Sequence, residues 1–97
     1  MRTISPMRPM EMTISFMRGR PYAGYLYLES HRADKSANTK EMRAGLVVDF
    51  NADGQPLGVE ILRFDATVVA DLVELLGELG VDPMPSGELG QLEKLAA

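Results

Sequence analysis

The sequence predicts an α+β domain: an antiparallel β-meander of about four strands with one C-terminal amphipathic helix packed on one face. Three observations carry this. Residues 45–63 read GLVVDFNADGQPLGVEILR, two alternating apolar runs around a polar, glycine-containing loop, which is the pattern of a β-hairpin. From residue 66 the apolar period changes from two to about 3.6, the change from strand to helix. With 97 residues the chain has room for one core, and a domain of that size gains from burying more surface against a second copy.

The elements follow in order. Residues 1–11 hold two prolines, three methionines and no apolar period, so they read as a flexible arm. Met12, Ile14 and Phe16 alternate with Thr13, Ser15 and Met17 to give a first strand, closed by the Arg18-Gly19-Arg20-Pro21 turn. The second strand, Tyr22 to Glu29, sets Gly24, Leu26 and Leu28 on one face and Tyr25 and Tyr27 on the other. Apolar bulk on both faces predicts a central position or a covered second face. Ser30 to Lys35 is a polar connection. Ser36 to Arg43 is a weaker strand whose Lys40, Glu41 and Arg43 suit an exposed edge.

In the hairpin, Leu46, Val48 and Phe50 share a face, as do Leu57, Val59 and Ile61. Asp65 is placed to cap the helix that follows, with Phe64 able to staple onto Val69. Val68, Val69, Leu72, Leu75, Leu76 and Leu79 form its apolar face, Gly80 suits a left-handed terminus closed by Val81 against Leu76, and Pro83 prevents resumption. The helix therefore runs from about Ala66 to Leu79, and residues 12–80 make the domain. Residues 81–97 read as a tail, with Pro83 to Gly90 a linker and a short helical turn at most from Gln91. Lys94 to Ala97 resembles the start of a common expression-vector tail, and no functional meaning attaches to it.

Composition excludes several chemistries. Without cysteine there is no disulfide, thiolate metal site or cysteine nucleophile. No apolar run approaches a membrane span or a secretory signal, so the expected location is cytoplasmic. The net charge of -4 is divided: residues 1–43 carry eight Lys or Arg against four acids, and residues 44–97 carry two against ten. The arginines are scattered, which argues against a nucleic-acid footprint.

Asp49, Asn51, Asp53, Gly54 and Glu60 satisfy the spacing of a calcium loop. The flanking helices that such a loop requires are missing, and Pro56 occupies a position needing a backbone amide. Hence the preferred reading makes Asn51 and Asp53 turn residues, gives Gly54 a positive φ and leaves no metal or cofactor site. The only histidine, His31, lies in a polar loop beside Arg32 and Asp34. Asp49 and Glu60 can share a face across the hairpin, but nothing builds a pocket to separate their pKa values. No catalytic constellation results, and the chain reads as a non-enzyme.

Two surfaces remain as candidates. The helical stripe of Val69, Leu72, Val73, Leu76 and Leu79 is broader than one thin sheet needs, which points to self-association, most simply a homodimer. The rival is a small-ligand or nucleic-acid face made of Tyr25 and Tyr27 with Arg18, Arg20 and Arg43, since aromatics beside cations can stack bases.

The run from Tyr25 to Leu28, the polar strand Ser36 to Arg43, the hairpin Val47 to Gly54 and the ending Gly58 to Leu62 together resemble the small bacterial "domain of unknown function 2283" family over about residues 12–79. The resemblance implies a small antiparallel sheet with a helix and no established activity. Some members look like partners of toxin-type proteins encoded beside them, which makes an antitoxin-like role one form of protein interaction here.

Overall fold

The computed structural model describes residues 9–28 and 35–96. The expectations for the arm up to Arg8, for the loop holding His31 and Arg32, and for Ala97 lie outside the described residues. Five strands and two helices follow one another: β1 (Pro9–Met17), β2 (Arg20–Leu28), β3 (Asn38–Arg43), β4 (Leu46–Phe50), β5 (Pro56–Ile61), α1 (Ala66–Glu78) and α2 (Ser86–Leu95). The fold class is α+β as the sequence predicts, with one more strand and one more helix.

The strands form one antiparallel sheet in the order β1-β2-β5-β4-β3, so the sheet is not a simple meander. After β2 the chain passes to the far edge and returns strand by strand, which brings β5 against β2. The pairing is set by apolar rows running across the sheet. Met12, Leu26, Val59 and Val48 are successive partners on four neighbouring strands, as are Ile14, Gly24, Ile61 and Leu46. A one-residue slip in any strand would turn its buried side chains to the opposite face. β2 is paired on both sides, in keeping with its apolar residues on both faces, and the charged β3 is an edge.

One face of the sheet supports both helices. Leu26, Leu28, Leu46, Val48, Val59 and Ile61 pack in one cluster with Val68, Val69, Leu72, Leu75 and Leu76 of α1. Asp65 caps α1, its carboxylate accepting from the Val68 amide at 2.8 Å. At the other end Gly80 takes φ 73°, while the Val81 amide donates to Leu76 at 2.9 Å and the Gly80 amide to Gly77 at 3.1 Å. Both ends match their sequence signals. Phe64 lies against Gly24, where a Cβ would stand 3.0 Å from the ring.

The segment read as a tail and linker is the main correction. Ser86–Leu95 is a ten-residue helix, and Val81, Met84, Leu92 and Ala96 are buried in the same core cluster. The helix is weak as an isolated sequence, with glycines at 87 and 90 and no side-chain cap; its stability comes from the apolar side chains it docks. Likewise β1 begins at Pro9, so residues 9–11, read as part of the arm, belong to a strand. Among the described residues no helix is long and apolar enough to cross a membrane.

Candidate interaction surface

The sheet face opposite the helices carries Tyr25 and Tyr27, because alternate side chains point to opposite faces. Tyr25 stands opposite Glu60, while Tyr27, Gly58, Asp49 and Thr39 form the adjacent row across β2, β5, β4 and β3. From this position the Tyr25 phenol crosses β5 diagonally and donates to Asp49 Oδ2 at 2.7 Å. Thr39 Oγ1 donates to the other carboxylate oxygen at 2.7 Å. Gly58 permits the crossing: a Cβ there would lie 2.3 to 2.5 Å from the Tyr25 ring and hydroxyl. Tyr27 packs beside it with ring centroids 4.6 Å apart and planes tilted by 53°, an arrangement that favours aromatic pairs.

Burial first, then the hydrogen bond to Asp49 and the surrounding carboxylate charges, push the Tyr25 phenol well above its ordinary pKa. A hydroxyl held protonated and donating to a carboxylate is structural; it is neither a base nor a nucleophile near neutral pH.

The arginines assigned to this face do not gather there. Arg43 pairs with Glu78 at the end of α1 and donates to the Met42 carbonyl at 3.1 Å. Arg18 and Arg20 lie at the β1–β2 turn, where Arg18 itself has φ 53°. From Arg20 to Tyr25 the chain runs five residues along a strand, roughly 16 Å. The structure therefore brings Tyr25 and Tyr27 together but does not gather the three arginines beside them, Arg43 being paired with Glu78 and Arg18 and Arg20 lying at the hairpin turn.

The residues of the calcium-like pattern are committed to the hairpin. Asn51, buried, accepts at its side-chain oxygen from the amides of Asp53 at 2.9 Å and Gln55 at 2.8 Å, and donates to Gln55 Oε1 at 3.1 Å. Gly54 takes φ 80°. Both Asp49 oxygens face hydroxyls of the sheet, and Glu60 sits two residues beyond Gly58 along β5, a diagonal neighbour of Asp49 on the same face. Among the described residues no three His, Cys, Asp or Glu side chains are grouped to hold a metal.

Of the helical stripe, Val69, Leu72 and Leu76 are buried against the chain's own sheet and Leu79 is half-buried. Only Val73 faces outward, 41 % exposed, with Ala66, Ala70 and Gly77 also exposed. The stripe is taken up by the sheet beneath it and by α2, whose Leu92 joins the same core cluster.

Apolar exposure collects instead at the outer end of the β1–β2 hairpin. β5 accompanies β2 only from Gly24 to Tyr27, whereas β1 and β2 stay paired out to Met17 and Arg20. The hairpin so projects past its neighbour, and Phe16, Met17 and Tyr22 are 53, 60 and 48 % exposed, interleaved with Arg18 and Arg20. At the other end of β1 a half-open cleft of about 240 Å³ lies between the sheet and α2. Met12, Ile14, Leu26, Met84, Leu92 and Leu95 form its apolar lining, and Glu11 and Glu88 its charged groups. Sequence reasoning missed the cleft because it missed α2; the signal was Leu89, Leu92 and Ala96, spaced three and four apart.

Residues 23–64 match the model of a family described as "Protein of unknown function (DUF2283)". The resemblance read from the sequence is thus shown over a shorter span than residues 12–79. It runs from Ala23 in β2 through β5 to Phe64, taking in Tyr25, Asp49, Gly54 and Gly58 and leaving out β1 and both helices. No curated protein and no solved structure matches the chain.

Proposed function

We propose that this chain is a non-enzymatic protein-interaction module that works as a homo-oligomer, with its contact on the projecting part of the β1–β2 hairpin. The observation that carries the reading is the exposure of Phe16, Met17 and Tyr22 on a hairpin end with no strand beside it among the described residues. Exposed large apolar side chains grouped in one place and interleaved with arginine are typical of contact surfaces; the same residues scattered singly would need no explanation. The tyrosine face supports this by contrast, since its Tyr25, Thr39 and Asp49 side chains are bonded to one another. A role in neutralising a toxin-type protein is a specific form of the proposal, with the hairpin available to a second kind of chain.

Sedimentation equilibrium over a wide concentration range tests the homo-oligomer. A concentration-dependent dimer is the expected result, and a monomer at every concentration refutes it. For the toxin-neutralising form, the chain is co-expressed with the product of an adjacent gene. Retention that Phe16→Ser with Tyr22→Ser abolishes supports that form; retention unchanged by the pair removes the hairpin from it.

A further inference from the structure

The two edges of the sheet are built differently. β3 carries Lys40, Glu41 and Arg43 within six residues, the kind of charge that keeps an exposed edge from pairing with another chain. β1 has neither charge nor proline nor glycine from Met12 to Met17, MTISFM, and it has a strand on one side only among the described residues. Such a segment is a template for strand addition unless something covers it.

Resting on the homo-oligomer reading above, we infer that the cover is a second copy: two β1 strands pair antiparallel about a two-fold axis at Ile14, joining the sheets into one of ten strands. The register follows from matching the faces. A two-fold perpendicular to a continuous sheet keeps like faces together, so each residue meets one separated from it by an even number of positions. Centred on Ile14, Thr13 meets the partner's Ser15 on the open face, and Met12 meets the partner's Phe16 on the helix face. From Met12 to Phe16 every cross-strand pair then joins like with like. Centring on Ser15 would set Met12 against Arg18, and centring on Thr13 would leave Phe16 and Met17 beyond the core of the contact.

The same register explains the exposed hairpin end and the cleft together. Phe16 of one copy comes to the Met12 edge of the other copy's cleft, lined by Ile14, Leu92 and the exposed Leu95. Met17 stands opposite Glu11, which brings Arg18 and Arg20 to the end of the cleft bearing Glu11 and Glu88. No basic residue lines that cleft, so the approaching arginines meet uncompensated acids. Because each copy both gives and receives a hairpin end, the contact closes at two and does not propagate into a filament.

The chain has no cysteine, so single cysteines report the register directly. In the paired state the two Ile14 Cα atoms stand about 5 Å apart, within disulfide reach. Ile14→Cys is expected to crosslink to a dimer under mild oxidation, Thr13→Cys and Ser15→Cys to crosslink poorly alone, and a mixture of the last two to crosslink well. Phe16→Glu, with its fold checked by circular dichroism, is expected to weaken dimerisation on the order of a hundredfold, and Val73→Glu to leave it unchanged. A monomeric wild type overturns both the inference and the homo-oligomer reading. A dimer in which Ile14→Cys stays uncrosslinked overturns the β1 contact and leaves the homo-oligomer standing, and a dimer broken by Val73→Glu and untouched by Phe16→Glu overturns the hairpin contact as well, leaving only self-association.

Discussion

Replacing Gly58 by alanine tests whether the tyrosine cluster holds the open face of the sheet together. The new methyl would occupy space now taken by the Tyr25 ring, at 2.3 to 2.5 Å, so the ring must swing aside. It can do so, being a side chain on two torsions. The cost is therefore that of the contacts the ring gives up. The bond from the phenol to Asp49 is charge-assisted and part-buried, worth about 1.5 kcal/mol at the low end of its class, and the edge contact with Tyr27 adds roughly 0.5 kcal/mol or more. Against this, alanine in a strand is favoured over glycine by about 0.5–1 kcal/mol. The net expectation is a loss of about 1–1.5 kcal/mol, read as a lower urea midpoint at unchanged slope. In a Tyr25→Ala background the ring is gone, and Gly58→Ala should become neutral or stabilising. Equal destabilisation in both backgrounds would refute the argument, because the ring could then not be what the methyl displaces.

Three further outcomes are expected. Gly54→Val should cost about 1 kcal/mol or more, since φ is 80° and no atom lies within 4 Å of the added Cβ; an unchanged thermal midpoint would contradict the strain. Leu92→Ala should cost about 2–5 kcal/mol because Leu92 is 3 % exposed in the core, and stability unaffected by this change or by removal of residues 86–97 would show that α2 contributes nothing. In alkali the unfolded chain releases the Tyr25 proton near pH 10 while the folded chain retains it, so stability present below that pH falls as pH rises above it. Tyr25→Phe should flatten that alkaline decline, and an equally steep decline in the variant would assign it elsewhere.

How far the sequence determined this protein depends on the range over which each signal acts. The ends of α1 were legible because Asp65 caps an amide three residues away and Gly80 closes a turn within its own neighbourhood; these are local contacts written in adjacent letters. The hairpin of β4 and β5, its Asn51 turn and the charged edge of β3 were legible for the same reason. The position of β5 between β2 and β4 was not. Antiparallel order between non-adjacent strands is decided by which apolar rows align when the sheet closes, and Leu26 against Val59 cannot be seen from either strand alone. Nor was α2, whose two glycines and missing cap make it a poor helix until Leu92 and Ala96 find the core. The tyrosine cluster shows the division within one site: Tyr25, Asp49 and Gly58 stand in the sequence as ordinary strand residues, and only the register of three strands puts an empty α-carbon under a ring that reaches a carboxylate. The breadth of the apolar stripe on α1 points outward if only a thin sheet lies beneath it, and tertiary packing turns it inward, because the sheet and α2 together bury Val69, Leu72 and Leu76 within one chain.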